Sequence, residues 1–128
     1  MQGDRLSNML SGIRNGLMAR KPSVLQKSTK TCLQVLDILW EEGYIQGYSY
    51  MGKGEVEIVL KYRRGRPVMK DLGRISRPGR PLYLSALDLY KVHKAKLHIL
   101  VVATPQGLLE GKKALKKGQG GEVLCYIK

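Results

Sequence analysis

An α+β fold in two small domains is what this chain predicts, and three observations predict it. Helical and strand-like periodicities alternate irregularly, without repeated βαβ units, which argues against a doubly wound sheet. The order reads helix-strand-helix-hairpin in the first half and is strand-rich in the second. The charge also changes part-way: residues 1–60 hold seven Lys/Arg and six Asp/Glu, whereas residues 61–128 hold sixteen and four. A nearly neutral body, 1–69, is therefore expected to be followed by a basic domain, 70–128, with a soft boundary near Lys70.

The elements follow in order. Asp4 suits a helix cap, and Leu6, Met9, Leu10, Ile13 and Leu17 then recur at helical spacing as one apolar stripe. Gly16 reads as a break near the helix end, and Arg20-Lys21-Pro22 stops it. Ser23 to Gln26 is a short strand. Ser28 or Thr29 caps a second helix whose buried face is expected to be Leu33, Leu36, Leu39 and Trp40, with Val35 beside them. Glu41-Glu42-Gly43 closes that helix, glycine suiting the position after the last turn. A strand runs from Tyr44 through Tyr50, and Met51 to Gly54 is a loop. Glu55 to Arg63 alternates, with Val56, Ile58, Leu60 and Tyr62 on one side. Glu55 and Glu57 share the other side with no histidine or metal cluster near them in sequence, so they read as a solvated strand face rather than paired catalytic acids.

Arg64-Gly65-Arg66-Pro67 is a basic turn, and Leu72 to Ser76 a short strand. Arg77-Pro78-Gly79-Arg80 carries Pro then Gly at its centre, matching a type II turn. Leu82 to Leu84 returns as a strand. Ser85-Ala86-Leu87-Asp88 resembles a capping box, opening a helix to about His93. A strand begins at Leu97. Thr104-Pro105-Gln106-Gly107 is a type I turn signal. In Lys112-Lys113-Ala114-Leu115-Lys116-Lys117, a helix would place Lys112, Lys113, Lys116 and Lys117 on one face and turn Ala114 and Leu115 inward. Like charges four apart cost about 0.2–0.5 kcal/mol per pair. That face is either a solvated lysine surface or one with a polyanion opposite it. Gly118 ends the helix. Gly120-Gly121 either lets the backbone approach a partner closely or makes a plain tight turn into the last strand.

The formal net charge of +13 and pI near 10.0 favour nucleic acid or an anionic surface. No run of about 18 apolar residues predicts a membrane span, and no secretory signal or transit peptide is visible. Cys32 and Cys125 form no CxxC pair and no disulfide framework, so a reducing compartment is the simpler expectation. Both read as small core residues, Cys125 on the apolar strand face of Val123 and Ile127. With His93 and His98 they make no zinc spacing. Walker, GxSxG and GxGxxG motifs are absent. No enzyme activity, cofactor, metal or small-molecule substrate is expected.

Four stretches, in order and at family spacing, carry a resemblance. Asp4 to Gly16 (DRLSNMLSGIRNG) resembles the opening helix of the ribosomal small-subunit protein number eight family, bacterial/organellar type. Glu41-Glu42-Gly43-Tyr44-Ile45 resembles its second-helix end. Arg74-Ile75-Ser76-Arg77-Pro78-Gly79 is similar to its mid-chain turn, and Gly120 to Ile127 to its C-terminal strand. The resemblance covers nearly the whole chain. It implies two α+β domains, no catalysis, and direct binding to a helix in the central domain of small-subunit rRNA early in assembly. The C-terminal domain would supply most contacts, and neighbouring small-subunit proteins would be partners.

The family's turn after the LHILVV-like strand usually carries Ser-Thr-Ser, a basic residue and Gly, packed on an irregular RNA minor groove. Here only Thr104 and Gly107 match. Its Thr-Asp helix start is replaced by Glu110-Gly111, a poorer cap, and the lysine face exceeds the usual pattern. Phosphate contacts are expected to replace lost specific ones. These departures, with the missing Gly-rich approach to Leu97, point to a divergent mitochondrial ribosome; plastid and bacterial cytoplasm are the alternatives.

The RNA-binding residues so implied are Thr104, Pro105, Gln106, Gly107, Lys112, Lys113, Lys116, Lys117, Gly120, Gly121, Glu122, Arg77 and Tyr83, with Arg5, Arg14 and Lys30 from the first half. Glu122 reads as a local salt bridge or an acceptor for RNA hydroxyls, the former being favoured. Tyr83 is either core or an RNA stacking surface; Tyr126 faces the less buried side of its strand. The competing function is a free-standing RNA-binding regulator or a subunit of an RNA-processing enzyme.

Overall fold

The computed structural model describes residues 4–94 and 99–128. It is an α+β structure of helices and antiparallel sheets, and its contacts divide the chain into two compact units, the first ending at Asp71 and the second beginning at Leu72.

In the first unit, α1 (Arg5–Met18) starts where the Asp4 carboxylate accepts from the Ser7 amide at 3.2 Å. Leu6, Met9, Leu10, Ile13 and Leu17 are all buried, as their spacing requires. Gly16 is not a break. It lies inside the helix, buried, and a Cβ there would meet Val24 Cγ1 at 2.4 Å. The missing side chain is what lets β1 (Ser23–Lys27) rest against α1. The helix ends two residues later, where Arg20 takes φ +58° and the amides of Arg20 and Lys21 fold back onto the Leu17 and Gly16 carbonyls.

Thr29 caps α2 (Lys30–Glu41), its hydroxyl accepting from the Cys32 amide at 3.3 Å. The buried face is Cys32, Val35, Leu36, Ile38 and Leu39. The expected face was rotated from this one: Trp40 is 57 % exposed and Leu33 only half-buried. Cys32 and Leu39 sit at the centre of the stripe, and Leu33 and Trp40 lie about 80–100° around the helix from Cys32. Too many apolar residues crowd this helix for spacing alone to select the inward set. Gly43 (φ +81°) then closes it, with Gly43 and Tyr44 amides on the Trp40 and Leu39 carbonyls.

Strands β2 (Ile45–Gly52) and β3 (Glu55–Leu60) form a hairpin, and the sheet order is β1-β3-β2, all antiparallel. Gly52 pairs with Glu55, leaving Lys53 and Gly54 as a two-residue turn with φ +55° and +76°. That is the mirror-image turn whose twist matches a hairpin. Val56, Ile58 and Leu60 are buried, and α1 and α2 pack on this sheet and on each other. The expected single strand to Arg63 breaks at Lys61: Tyr62–Arg63 (β4) instead pairs with Arg66–Pro67 (β5) in a separate two-stranded ribbon.

The second unit is built on its last strand. Its elements are β6 (Leu72–Arg74), β7 (Tyr83–Leu84), α3 (Ala86–Lys94), β8 (Ile99–Thr104), β9 (Gly107–Glu110), α4 (Gly111–Lys116) and β10 (Gly121–Ile127). The sheet order is β6-β10-β8-β9, and β7 pairs with β10 as well. Strand β9 lies between the turn and the lysines, where the residue pattern predicts no strand. Ser76 is fully buried; its hydroxyl accepts from the Leu82 amide at 2.7 Å and donates to the Leu82 carbonyl at 3.1 Å. It thereby closes the loop holding Arg77 to Arg80, where Gly79 has the φ of +82° that a type II turn needs. The Ser85 hydroxyl caps α3, accepting from the Asp88 amide at 3.1 Å. The expected strand start at Leu97, with His98, lies outside the described residues, as does the His93 side chain.

Leu89, Leu100, Val102, Ala114 and Val123 form one core cluster, with Ile75, Leu84, Leu109 and Tyr126 packed against it. A bulge between Val123 and Cys125 shifts the register by one residue. Because side chains alternate along a strand, the shift moves Cys125 and Ile127 off Val123's face and puts Tyr126 onto it. The expectation that Cys125 shares a face with Val123 fails for that reason. Cys125 is still fully buried, as is Cys32.

Burial pushes the Cys125 thiol up to about 12, against a smaller opposing influence from Arg74. The folded value lies above the unfolded one, so this thiol's contribution to stability is complete below about pH 9 and is lost as pH rises toward 12. Iodoacetamide at pH 9 is expected to label Cys125 only once urea unfolds the chain; peptide mapping showing native-state labelling at the unfolded rate would contradict that burial.

Candidate nucleic-acid interface

The predicted turn is the tip of the β8–β9 hairpin. Thr104 and Gly107 are its last register pair, with Pro105 and Gln106 exposed between them. Gly107 has φ +106° while Pro105 and Gln106 keep negative φ, which is a type I turn followed by a glycine bulge. The Thr104 hydroxyl donates to the Gly107 carbonyl at 2.9 Å and accepts from the Gln106 amide at 3.1 Å. Its single proton is used within the turn, so only acceptor capacity is left for a partner.

Helix α4 follows directly. Glu110 is its cap, 5 % exposed, its carboxylate accepting from the Lys112 amide at 3.0 Å. The replacement expected to be a poorer cap therefore performs the capping bond. Strand β9 holds Glu110 opposite Val101, where the longer side chain turns back onto the helix start. Ala114 is fully buried and Leu115 half-buried, and Lys112, Lys113, Lys116 and Lys117 are all exposed. None of the four has an ion-pair partner among the described residues. Gly118 (φ +66°) ends the helix, with Gly118 and Gln119 amides on the Leu115 and Ala114 carbonyls. The Lys117 ammonium donates to the Gln106 side-chain carbonyl at 3.2 Å. The basic helix and the hairpin tip, eleven residues apart in sequence, are thus joined.

The two glycines before β10 do something other than expected. A Cβ on Gly120 would lie 2.1 Å from the Leu84 carbonyl oxygen, and one on Gly121 would lie 2.0 Å from that of Ala103. The close approach is to the chain's own backbone. Glu122 stands in register with Ala103 on one side and Tyr83 on the other. The favoured local salt bridge is not formed: Glu122 has no ion-pair partner among the described residues. Tyr83 is 67 % exposed, so it is a surface residue and not core. Tyr126 packs against the core cluster with its ring over Gly73.

The second unit thus brings together Thr104, Pro105, Gln106, Gly107, Lys117, Gly121, Glu122 and Tyr83 near one end of its sheet, with Lys112, Lys113 and Lys116 on the adjoining helix. Arg77 is exposed on its own loop, bridged to Arg80. Arg80 is an exposed cation that sequence reasoning passed over, although the symmetry of Arg-Pro-Gly-Arg signals it. Arg5, Arg14 and Lys30 belong to the first unit. Arg14 donates to Asp71 at 3.1 Å, Arg5 is half-buried at the start of α1, and Lys30 is exposed at the start of α2. No group of three His, Cys, Asp or Glu among the described residues is placed to hold a metal.

The family model described as ribosomal protein S8 matches residues 4–127. Small ribosomal subunit protein uS8 of Rhizobium rhizogenes is 42 % identical over 128 residues, covering 97 % of this chain and 96 % of that protein. The proteins of the same name from Rhizobium meliloti and Leptothrix cholodnii are also 42 % identical, at the same coverage.

Gly121 has a negative φ, so substituting alanine there tests sterics alone. Gly121→Ala is expected to cost about 3 kcal/mol in urea unfolding, the upper part of the range for overpacking. Gly47→Ala, where a Cβ meets nothing within 4 Å, is expected to change stability by about 0.5 kcal/mol at most. Equal effects at the two positions would remove the backbone-contact explanation.

Proposed function

This chain belongs to the ribosomal protein S8 family, and on that premise we propose that its second unit docks on a helix in the central domain of small-subunit rRNA, early in assembly. The protein is a structural, non-enzymatic constituent of the small ribosomal subunit that binds rRNA and supports translation. Its partners are rRNA and other ribosomal proteins. A free-standing regulator or processing-enzyme subunit is disfavoured by the family.

The observation that carries the docking surface is the Lys117–Gln106 hydrogen bond. It sets a cluster of unpaired ammonium groups beside a rigid hairpin tip, so that phosphate binding and positioning occur on one body. Lys112, Lys113, Lys116 and Arg77 neutralise phosphates and supply most of the affinity. The tip supplies the register through the Gln106 side-chain NH2, the remaining lone pair of Thr104 and the backbone at Gly107. Pro105 keeps it stiff. Glu122, without an internal cation, accepts from RNA 2′-hydroxyls, and Tyr83 offers an exposed ring for stacking. Gly120 and Gly121 act indirectly, by holding β10 against β7 and β8. The readout is of RNA shape, not a base-by-base code.

We read the two units as domains. The first meets further rRNA or neighbouring proteins through Arg5 and Lys30, with Arg14 partly engaged by Asp71. The departures from the family pattern, the missing Gly-rich approach to Leu97 and the high charge suggest a mitochondrial ribosome; the relatives named above are bacterial and lend that placement no support.

Binding of the full chain to the central-domain helix and to an unrelated hairpin of equal length, titrated with salt, tests the reading. Tighter binding to the first, with similar salt slopes, is the expected result. Lys112→Gln with Lys116→Gln should flatten both slopes by about 1.5, two phosphate contacts at about 0.7–0.9 each. Equal affinity for the two RNAs, or unchanged slopes in the double variant, would remove the docking surface.

A further inference from the structure

The β4–β5 ribbon of the first unit is absorbed by none of the roles above, yet it sets like charges directly opposite each other. Arg63 and Arg66 are direct cross-strand partners. Like charges in that relation repel. Between them Arg64 sits at φ +53° and Gly65 at φ +77°. The left-handed position in such a turn favours Asn, Asp or Gly, and arginine occupies it here. All three arginines are exposed, and none has a carboxylate within ion-pair distance among the described residues. The ribbon is also held in place. The Tyr62 hydroxyl donates to the Lys21 carbonyl at 2.5 Å, and the Leu60 amide donates to the Pro22 carbonyl at 2.9 Å. These bonds bring the loop after α1, with exposed Arg20 and Lys21, to the base of the ribbon. Arg20 too is held at positive φ. Two segments some forty residues apart, carrying five exposed cations between them, are therefore tied together, with two of the cations in backbone conformations their residue type disfavours.

We propose that this feature, Arg20, Lys21, Arg63, Arg64 and Arg66, is a second RNA-binding surface, which grips the phosphate backbone of a folded rRNA segment other than the helix bound by the second unit. Local repulsion and an unfavourable turn residue are both offset when a polyanion runs along the ribbon. Guanidinium groups suit it, since each presents a planar fork of donors to phosphate oxygens. RNA fits better than an acidic protein surface because the row of like charges has no interleaved apolar or acidic residue: the tip reads Arg-Arg-Gly-Arg. The proposal rests on the family role above but not on the docking surface of the second unit.

The test uses the full chain and two RNAs: complete bacterial-type small-subunit rRNA, and the isolated central-domain helix. Arg63→Gln/Arg64→Gln/Arg66→Gln keeps Gly65 and the turn. It is expected to flatten the salt slope on complete rRNA by about 2–3, at about 0.7–0.9 per lost phosphate contact, and to leave binding to the isolated helix unchanged. Triple replacement by lysine should restore most of the slope. Arg64→Asn alone should raise thermal stability while weakening binding to complete rRNA, a divergence that a purely structural role does not produce. Bound complete rRNA should also protect the ribbon from trypsin. Unchanged slope and protection would overturn the proposal, as would a loss seen only on binding neighbouring ribosomal proteins. Failure of the wild-type chain to distinguish the isolated helix from an unrelated hairpin would instead strike the docking surface of the second unit.

Discussion

The second unit depends on one constraint: the start of β10 must pass between two other backbones. Gly120 lies against the Leu84 carbonyl and Ser85, and Gly121 against the Ala103 carbonyl. No side chain fits at either position. This contact fixes where β10 begins relative to β7 and β8, and thus where Glu122 stands between Tyr83 and Ala103. The hairpin tip at Thr104 to Gly107 begins one residue beyond Ala103, so its position depends on the same contact. Downstream, β10 hydrogen-bonds to β6 and β8 and contributes Val123 and Tyr126 to the core cluster. A glycine pair that looks like a ligand-binding device in sequence is thus the point on which the sheet is assembled.

Charge is arranged differently from the core. The chain carries +13, yet its basic groups are not interleaved with acids where they cluster. Lysines stack on one face of α4, arginines face each other across β4–β5, and Arg77 bridges Arg80. Each like-charged pair costs about 0.2–0.5 kcal/mol in isolation, small against the burial of a single large side chain at about 1.5–3 kcal/mol. The folded core can hold such clusters without difficulty, and a polyanionic partner reverses their sign. Salt screens them over about 8–10 Å.

Helix ends show the same economy of means. In α1, α2 and α4 the chain stops by turning one residue left-handed and folding two amides back: Arg20, Gly43 and Gly118. Two of the three are glycine, as the geometry prefers. The third is arginine, and it lies in the cationic cluster beside the β4–β5 ribbon. Glu110 is a parallel case at a helix start, an uncommon capping residue made effective because β9 delivers it to the right place.

Much of this was legible from residue order alone. Local rules determined the helix starts at Asp4 and Ser85 and narrowed the second to Ser28 or Thr29; they also determined the stops at Gly43 and Gly118, the type II loop at Arg77 to Arg80 and the basic face of α4. Each depends on atoms within a few residues of one another, so local sequence is enough. Tertiary structure alone decided which side of α2 faces inward, because seven apolar residues leave the stripe undefined until a sheet selects it. It also decided the Val123–Cys125 bulge, the strand β9, the inward purpose of Gly16, Gly120 and Gly121, and the bond from Lys117 to Gln106. All of these are contacts between segments separated in sequence, with no signature in the order of residues, and they exist only after the backbones have met.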